Sequence, residues 1–337
     1  MTSTAARPGE AAHEGAEAEV ESEAEVETEG ASADASLAQP ASASAGAAYE
    51  RAGGAWDWWY LRAYPGGPAR MDAAVHAVLP WLATRATELR APDWHFLRYW
   101  DATGHHLRLR IRCTPEQADT LHSRTPEVRA LLAALPEPEH ADGGGLLPAE
   151  PTMAPRRQPV GASPAPYAPE RAKYGGTAGI AAAEEVFTDC CALLSETELV
   201  ALPAAFERAA AAVELTGTLV AGCLAPGERD AFWTAHRRRW LARLRLVLPA
   251  DETRERLRAL ASQVGEAPRP GEAVRRRCAA HAALVSAVLD RCAAARVPVP
   301  RAELLLHHVH MTYNRLGFPP AEEAALVLAA RVLTAGR

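Results

Sequence analysis

Hydrophobic and polar positions change their period several times along this chain, and each change marks an element. From Trp56 to Tyr64, the residues Trp58, Tyr60 and Arg62 alternate with Trp59, Leu61 and Ala63 ahead of Pro65-Gly66-Gly67, which predicts a strand and a turn. The period then lengthens: Val75, Val78, Leu79, Leu82 and Leu89 fall at helical spacing, so Met71 to Arg90 is expected to be a helix that tolerates Pro80 near its first turns. Alternation returns in Trp94–Trp100 and His106–Cys113, two strands about a turn at Gly104. In the second, Leu107, Leu109 and Ile111 share one face, and His106, Arg108, Arg110 and Arg112 share the other. Thr114 to Leu135 reads as one further helix, with Thr114-Pro115-Glu116 at its start.

From Pro136 to Pro169 the chain is rich in Pro and Gly, a stretch too long for an ordinary loop and expected to carry one or two short strands. Beyond Gly179 the pattern is helical: Ile180–Leu194, Glu196–Ala221, Pro226–Leu246, Asp251–Val264, Glu272–Ala295 and Ala321–Leu333. Arg301 to Gly317 fits helix or strand equally, because Leu304 to Met311 is a nearly continuous apolar and His run. The expected fold class is α+β, a small antiparallel sheet from the N-terminal half packed against a mainly helical C-terminal half.

Composition separates residues 1–50 from the rest. Between Glu10 and Glu29, Glu recurs among Ala, Val, Gly and Ser with no aromatic residue, and such a segment cannot bury enough surface to offset its ordering entropy. We therefore expect a disordered acidic tail over 1–50 and one folded domain over 51–337. The acids of the tail outweigh the whole formal charge of −6, leaving the folded part near neutral or mildly basic, without the marks of a nucleic-acid binder. Charged or Pro residues interrupt each apolar stretch, so neither a membrane span nor a signal peptide is expected, and the protein reads as cytoplasmic. Six Cys show no CxxC spacing, which fits buried thiols.

Three segments carry candidate chemistry. In Arg98-Tyr99 and His105 to Arg110, Arg108 and Arg110 at i and i+2 set two guanidinium groups about 6–7 Å apart on one strand face. That suits a carboxylate or a developing oxyanion; a solvated basic face is the plain alternative. In Tyr167 to Gly176, Lys173 follows Glu170 at i+3, and Gly175-Gly176 permits close approach of backbone to a ligand; a surface ion pair beside a flexible turn fits equally. In His307-His308-Val309-His310-Met311-Thr312-Tyr313-Asn314-Arg315, the His cluster lacks the His-Glu-x-x-His spacing of zinc hydrolase helices, so neither a metal nor any other cofactor is expected.

Taken in order, Trp59-Tyr60-Leu61-Arg62, then Phe96 to Asp101 with His105 to Arg110, then Tyr167-x-Pro-Glu-x-x-Lys-Tyr-Gly-Gly, then His310-Met-x-x-Asn-Arg, the chain resembles the C-terminal domain of class I lantibiotic dehydratases. The resemblance runs from about Ala55 to Arg337. The same domain stands alone in thiopeptide and goadsporin-type pathways. It implies elimination of glutamate from Ser or Thr side chains that a separate glutamylating protein has esterified, on a ribosomal precursor peptide bearing a leader; oligomeric state is left open. A divergent branch catalyses the aza-[4+2] cycloaddition that builds the pyridine of thiopeptides.

Carried over by motif position, the resemblance assigns the family's strand arginines to Arg108 and Arg110, its motif glutamate to Glu170 and its late histidine to His310. Lys173 stands where the family normally has Arg, keeping the charge and losing the bidentate fork. It implies a catalytic set of Arg110 for the growing enolate-like charge, His310 for proton transfer, and Glu170, which orients His310 or a basic group or takes the proton itself. Arg98, Arg108, Lys173 and Tyr174 form the expected substrate-binding set. The retained charged set favours elimination over cycloaddition. A non-catalytic module that docks a leader peptide on a sheet edge is the third reading.

Overall fold

The computed structural model describes residues 56–138, 145–153, 159–201 and 205–334; the expected acidic tail lies outside them. The chain enters through β1 (Asp57–Pro65), crosses α1 (Met71–Leu89), and returns in the hairpin β2 (Trp94–Asp101) and β3 (Gly104–Cys113). Two short helices follow, α2 (Pro115–Ser123) and α3 (Thr125–Ala133), and then β4 (Val160–Pro164). The remainder is helical: α4 (Thr177–Thr197), α5 (Ala205–Cys223), α6 (Pro226–Val247), α7 (Thr253–Glu266), α8 (Glu272–Ala294), α9 (Arg301–Leu316) and α10 (Pro320–Thr334). The expected α+β class is the observed one.

The sheet is antiparallel in the order β2-β3-β1-β4, with Tyr60 and His95 flanking Arg110, and Arg62 and Leu97 flanking Arg108. Alternation therefore gathers Trp59, Leu61, Ala63, Phe96, Leu107, Leu109 and Ile111 on one face, all buried in the same apolar core as Ala74, Val75, Val78 and Leu82 of α1. Burying each large side chain contributes about 1.5–3 kcal/mol. Pro80 sits in the middle of α1 rather than near its start. The helix persists because its buried stripe offsets the roughly 3 kcal/mol that an internal Pro costs.

Several expected boundaries move. Thr114 caps a helix as expected, through a capping box with Gln117, but that helix stops at Ser123. Pro126 opens a second helix, because its ring excludes the carbonyl of the preceding turn. The helix expected from Glu196 is instead split: α4 runs on to Thr197, Glu198 adopts a left-handed conformation with φ 53°, and α5 begins at Ala205. The ambiguous 301–317 segment is helix, ended by Gly317 at φ 90°. Among the described residues, 136–169 contributes one strand, β4.

Helix α9 docks on the free edge of β2. Asn314 Oδ1 accepts from the Arg98 backbone N–H at 2.9 Å, its Nδ2 donates to the Arg98 carbonyl at 2.7 Å, and Arg315 Nε donates to the Phe96 carbonyl at 3.0 Å. These side chains satisfy edge groups that would otherwise template another strand. No helix among the described residues is long and apolar enough to cross a membrane.

Candidate functional site

The second face of the sheet carries Trp58, Tyr60 and Arg62 of β1, His95, Leu97 and Tyr99 of β2, and His106, Arg108, Arg110 and Arg112 of β3. This is no solvated basic face: all three β3 arginines are buried. Aromatic rings stand where water would be. The Arg108 guanidinium carbon lies 3.2 Å from the Tyr99 ring centre, and that of Arg110 lies 4.9 Å from Tyr60 and 4.4 Å from Tyr167. Desolvated cation–π contacts of this kind are worth about 2 kcal/mol. Arg112 pairs with Asp93 at 3.0 Å.

Arg110 differs from these neighbours. It is 6% exposed, and no carboxylate among the described residues pairs with it. Its Nη1 donates to His95 Nε2 at 3.3 Å. Burial, Arg110 and Arg315 together hold His95 far below its usual range, so its Nε2 is a neutral acceptor. Behind the ring on the other side, the Tyr167 hydroxyl donates to Glu184 Oε1 at 2.6 Å, and burial with Glu184 keeps that phenol protonated. Burial pulls the Arg110 pKa down, yet a guanidinium stays charged. A buried cation without a directly paired carboxylate is costly even with Glu184 in electrostatic reach, and an anionic group delivered by a ligand would relieve it.

The segment after Tyr167 is a hydrogen-bonded turn in which Tyr174 N–H donates to the Glu170 carbonyl and Gly176 N–H to that of Arg171. Lys173 Nζ meets Glu170 Oε2 at 3.0 Å, with Glu170 mostly exposed. Gly175 has a packing reason to be glycine: at φ 77°, a Cβ there would sit 2.6 Å from Val297 Cγ1, whereas one on Gly176 would meet nothing within 4 Å. Tyr174 is buried with its ring against Phe187, His307 and His308, at centroid distances of 5.7, 5.6 and 5.9 Å. Phe187 also touches His95 at 5.4 Å, so it joins the Arg110 environment to the Tyr174 environment.

His310, on α9, does not meet Glu170. Its Nδ1 lies 2.6 Å from Glu323 Oε2, its ring stacks on Trp240 at 4.7 Å, and Glu323 Oε1 takes a second imidazole, His236 Nε2, at 3.0 Å. Burial pushes Glu323 up, but His310 and His236 outweigh it and pull the carboxyl down to about 2. Its neighbour His307 is pressed to about 3 by burial, Lys173 and Arg239, which brings Lys173 into the electrostatic surroundings of the α9 histidines. Glu323, His236 and Trp240 escape sequence reasoning. Glu323 reads there as an ordinary first-turn acid of a helix opened by Pro320, where the helix dipole favours it anyway.

Of the expected set, the fold thus groups Arg108 with Arg110 on the sheet, and Glu170, Lys173 and Tyr174 in one turn beside the His310 helix. Arg98 is placed elsewhere. It points from the opposite face of β2, where Nη1 pairs with Asp72 at 2.5 Å and Nε donates to the Arg315 carbonyl at 3.2 Å. Among the described residues no group of three His, Cys, Asp or Glu side chains is arranged to hold a metal ion. The chemistry on offer is a fixed cation with no ion-paired carboxylate among the described residues, and an imidazole backed by a buried carboxylate.

Residues 58–333 match the family described as lantibiotic biosynthesis dehydratase, C-terminal. No curated protein sequence matches the chain significantly. Among solved structures, the tRNA-dependent lantibiotic dehydratase MibB from Microbispora sp. 107891 is similar at TM-score 0.56 and 23% identity, over 83% of this chain and 28% of MibB. The pyridine synthase TbtD from thiomuracin biosynthesis matches at TM-score 0.56 and 22% identity, over 83% of this chain and 98% of TbtD. TsrL matches at 0.52 and 18%, over 82% and 94%. These likenesses establish a shared fold.

Proposed function

The chain belongs to the C-terminal family of lantibiotic biosynthesis dehydratases, and from that premise we propose that it eliminates glutamate from glutamylated Ser and Thr of a ribosomal precursor peptide. The product is dehydroalanine or dehydrobutyrine. A base takes the Cα proton, the freed electron pair forms the Cα–Cβ double bond, and the Cβ–O bond breaks with its pair going to the departing glutamate carboxylate. The carboxylate leaves readily because it is a weak base. The difficult step is deprotonation, and charge growing on the peptide carbonyl must be met by fixed donors in a dry setting.

Arg110 is the observation that carries this reading. A buried guanidinium held by rings and by a neutral imidazole, with no carboxylate partner, is suited to an oxyanion that exists only as the proton leaves. His310 supplies proton transfer, and Lys173 and Arg108 are proposed to hold the glutamate carboxylates. The exposed Glu170, tied to Lys173, sets that ammonium in place rather than acting on His310. The chain spans 28% of MibB; a separate glutamylating protein and a cytoplasmic reaction are parts of the proposal.

Mass spectrometry of a glutamylated precursor incubated with the protein tests the proposal: loss of glutamate with appearance of a dehydroamino acid is expected. A second reading, cyclisation of two dehydroalanines to a pyridine with leader release, draws on the near-complete span of TbtD. Cyclised product from a dehydrated peptide, with glutamylated peptide left untouched, would replace the first reading by the second.

A further inference from the structure

We propose that Glu323 is the positioning residue that fixes the tautomer and direction of His310, with His236 and Trp240 as its supports; the catalytic sense of this inference rests on the elimination reading. Nothing in the order of motifs points to it, since Glu323 lies thirteen residues beyond His310 on the next helix. The left-handed Gly317 ends α9 and reverses the chain, and Pro319 and Pro320 start α10 so that its first turn comes back against His310.

The hydrogen bonds determine the protonation pattern. Glu323 is ionised and can only accept, so both imidazole nitrogens facing it are donors: His310 Nδ1–H to Oε2 at 2.6 Å and His236 Nε2–H to Oε1 at 3.0 Å. With Nδ1 carrying that proton, the neutral His310 ring presents its lone pair at Nε2. Burial gives the arrangement a direction. Glu323 and His236 side chains are each 1% exposed, whereas His310 is 22% exposed, so it alone of the three can meet a substrate. Trp240 stacked at 4.7 Å and 28° limits rotation of the ring, and His236 keeps the carboxylate from swinging away. A carboxylate held this way both orients the base and stabilises the imidazolium formed when it accepts a proton.

The test uses the full chain with ¹⁵N-labelled histidine, and two variants, Glu323→Met and Glu323→Asp. NMR of the wild type, at a pH where the ring is neutral, should give His310 as the Nδ1–H tautomer. Glu323→Met, nearly isosteric but without acceptors, should move His310 toward Nε2–H and lower kcat for glutamate elimination about 100-fold with KM changed less than twofold. Glu323→Asp, which restores the charge at a longer reach, should recover part of both signals. Should Glu323→Met fail to fold, Glu323→Gln takes its place, leaving one imidazole without an acceptor oxygen. An Nε2–H tautomer in the wild type, or His310 shifts and kcat that ignore the loss of the carboxylate, overturns the proposal. If the wild type shows no elimination at all, the functional reading fails, while the tautomer measurement still decides whether Glu323 sets His310.

Discussion

Two histidine–carboxylate pairs in this molecule have the same 2.6 Å contact and opposite orientation. Between α4 and α8, His281 Nδ1 meets Asp189 Oδ2, and Arg277 closes on the same carboxylate at 2.8 Å. There the imidazole is 1% exposed and the carboxylate 21%. Between α9 and α10 the order is reversed, with Glu323 inside and His310 outside. In the first pair an Arg completes the neutralisation and the histidine is sealed in, so the pair ties two helices together. In the second the partner is another imidazole, and the group left accessible is the one able to move a proton. The sheet repeats the lesson: Arg98 shares Asp72 with Arg208, whereas Arg110 has no carboxylate partner among the described residues.

The sharpest way to break this contrast is at Arg110. Arg110→Ala should lower kcat for glutamate elimination by about 10²–10³ while peptide binding changes little, because an oxyanion donor acts mainly in the transition state. Glutamylated peptide should accumulate in the mass spectrum. Arg98→Ala should instead lower the melting temperature and leave turnover per folded molecule near normal; matching effects of the two variants on kcat would erase the distinction.

Next in size is the pair of histidines. His310→Gln should cost about 10²-fold in kcat with folding intact, and His281→Gln should reduce thermal stability with kcat preserved, as scored by melting curves beside initial rates. A smaller effect is expected at Lys173. If its role is charge toward a substrate carboxylate, Lys173→Arg should retain activity and Lys173→Met should lose roughly tenfold, the scale of one charged hydrogen bond. An inactive, folded Lys173→Arg would show instead that the amine acts as a neutral base, which Arg cannot do.

How far the sequence announced these features depended on whether the signal was local. The alternation of β3 placed Arg108 and Arg110 together correctly, since a period of two leaves no freedom, but it said nothing of Tyr167 and Tyr99 closing over them. The same period put Arg98 on the face opposite Tyr99, information that grouping by motif overrode. His310 was legible as a motif, whereas its partner was not: a first-turn Glu after Pro320 has a complete local explanation, and only the reversal at Gly317 gives it another. Asn314 and Arg315 read as motif residues too, and their observed work is to seal the β2 edge. Helix ends were lost where a single backbone event decided them, Pro126 beginning α3 and Glu198 turning left-handed after α4.

The finest comparison is between adjacent glutamates at the start of α10. Glu323, held at about 2 against the pull of burial by two imidazoles, contributes stability above its unfolded value of about 4.3 and loses it as pH falls toward 2. Glu322 is buried without such partners. It accepts the Leu147 backbone N–H at 3.0 Å, and burial raises it to about 7 against the backbone donors of Leu147 and Leu146 and the charge of Arg208. Its sign is therefore opposite. Below the unfolded value both states hold the proton; between about 4.3 and 7 the unfolded chain ionises first, so stability is lost as pH rises through that window. Glu322→Gln keeps an acceptor for Leu147 and removes the titration. Relative to wild type, its melting temperature should match near pH 4 and rise by roughly 2 °C or more by pH 8. Curves that stay parallel across that range would mean Glu322 is ionised inside the fold, and the 145–147 segment would then be held by a charged rather than a neutral carboxyl.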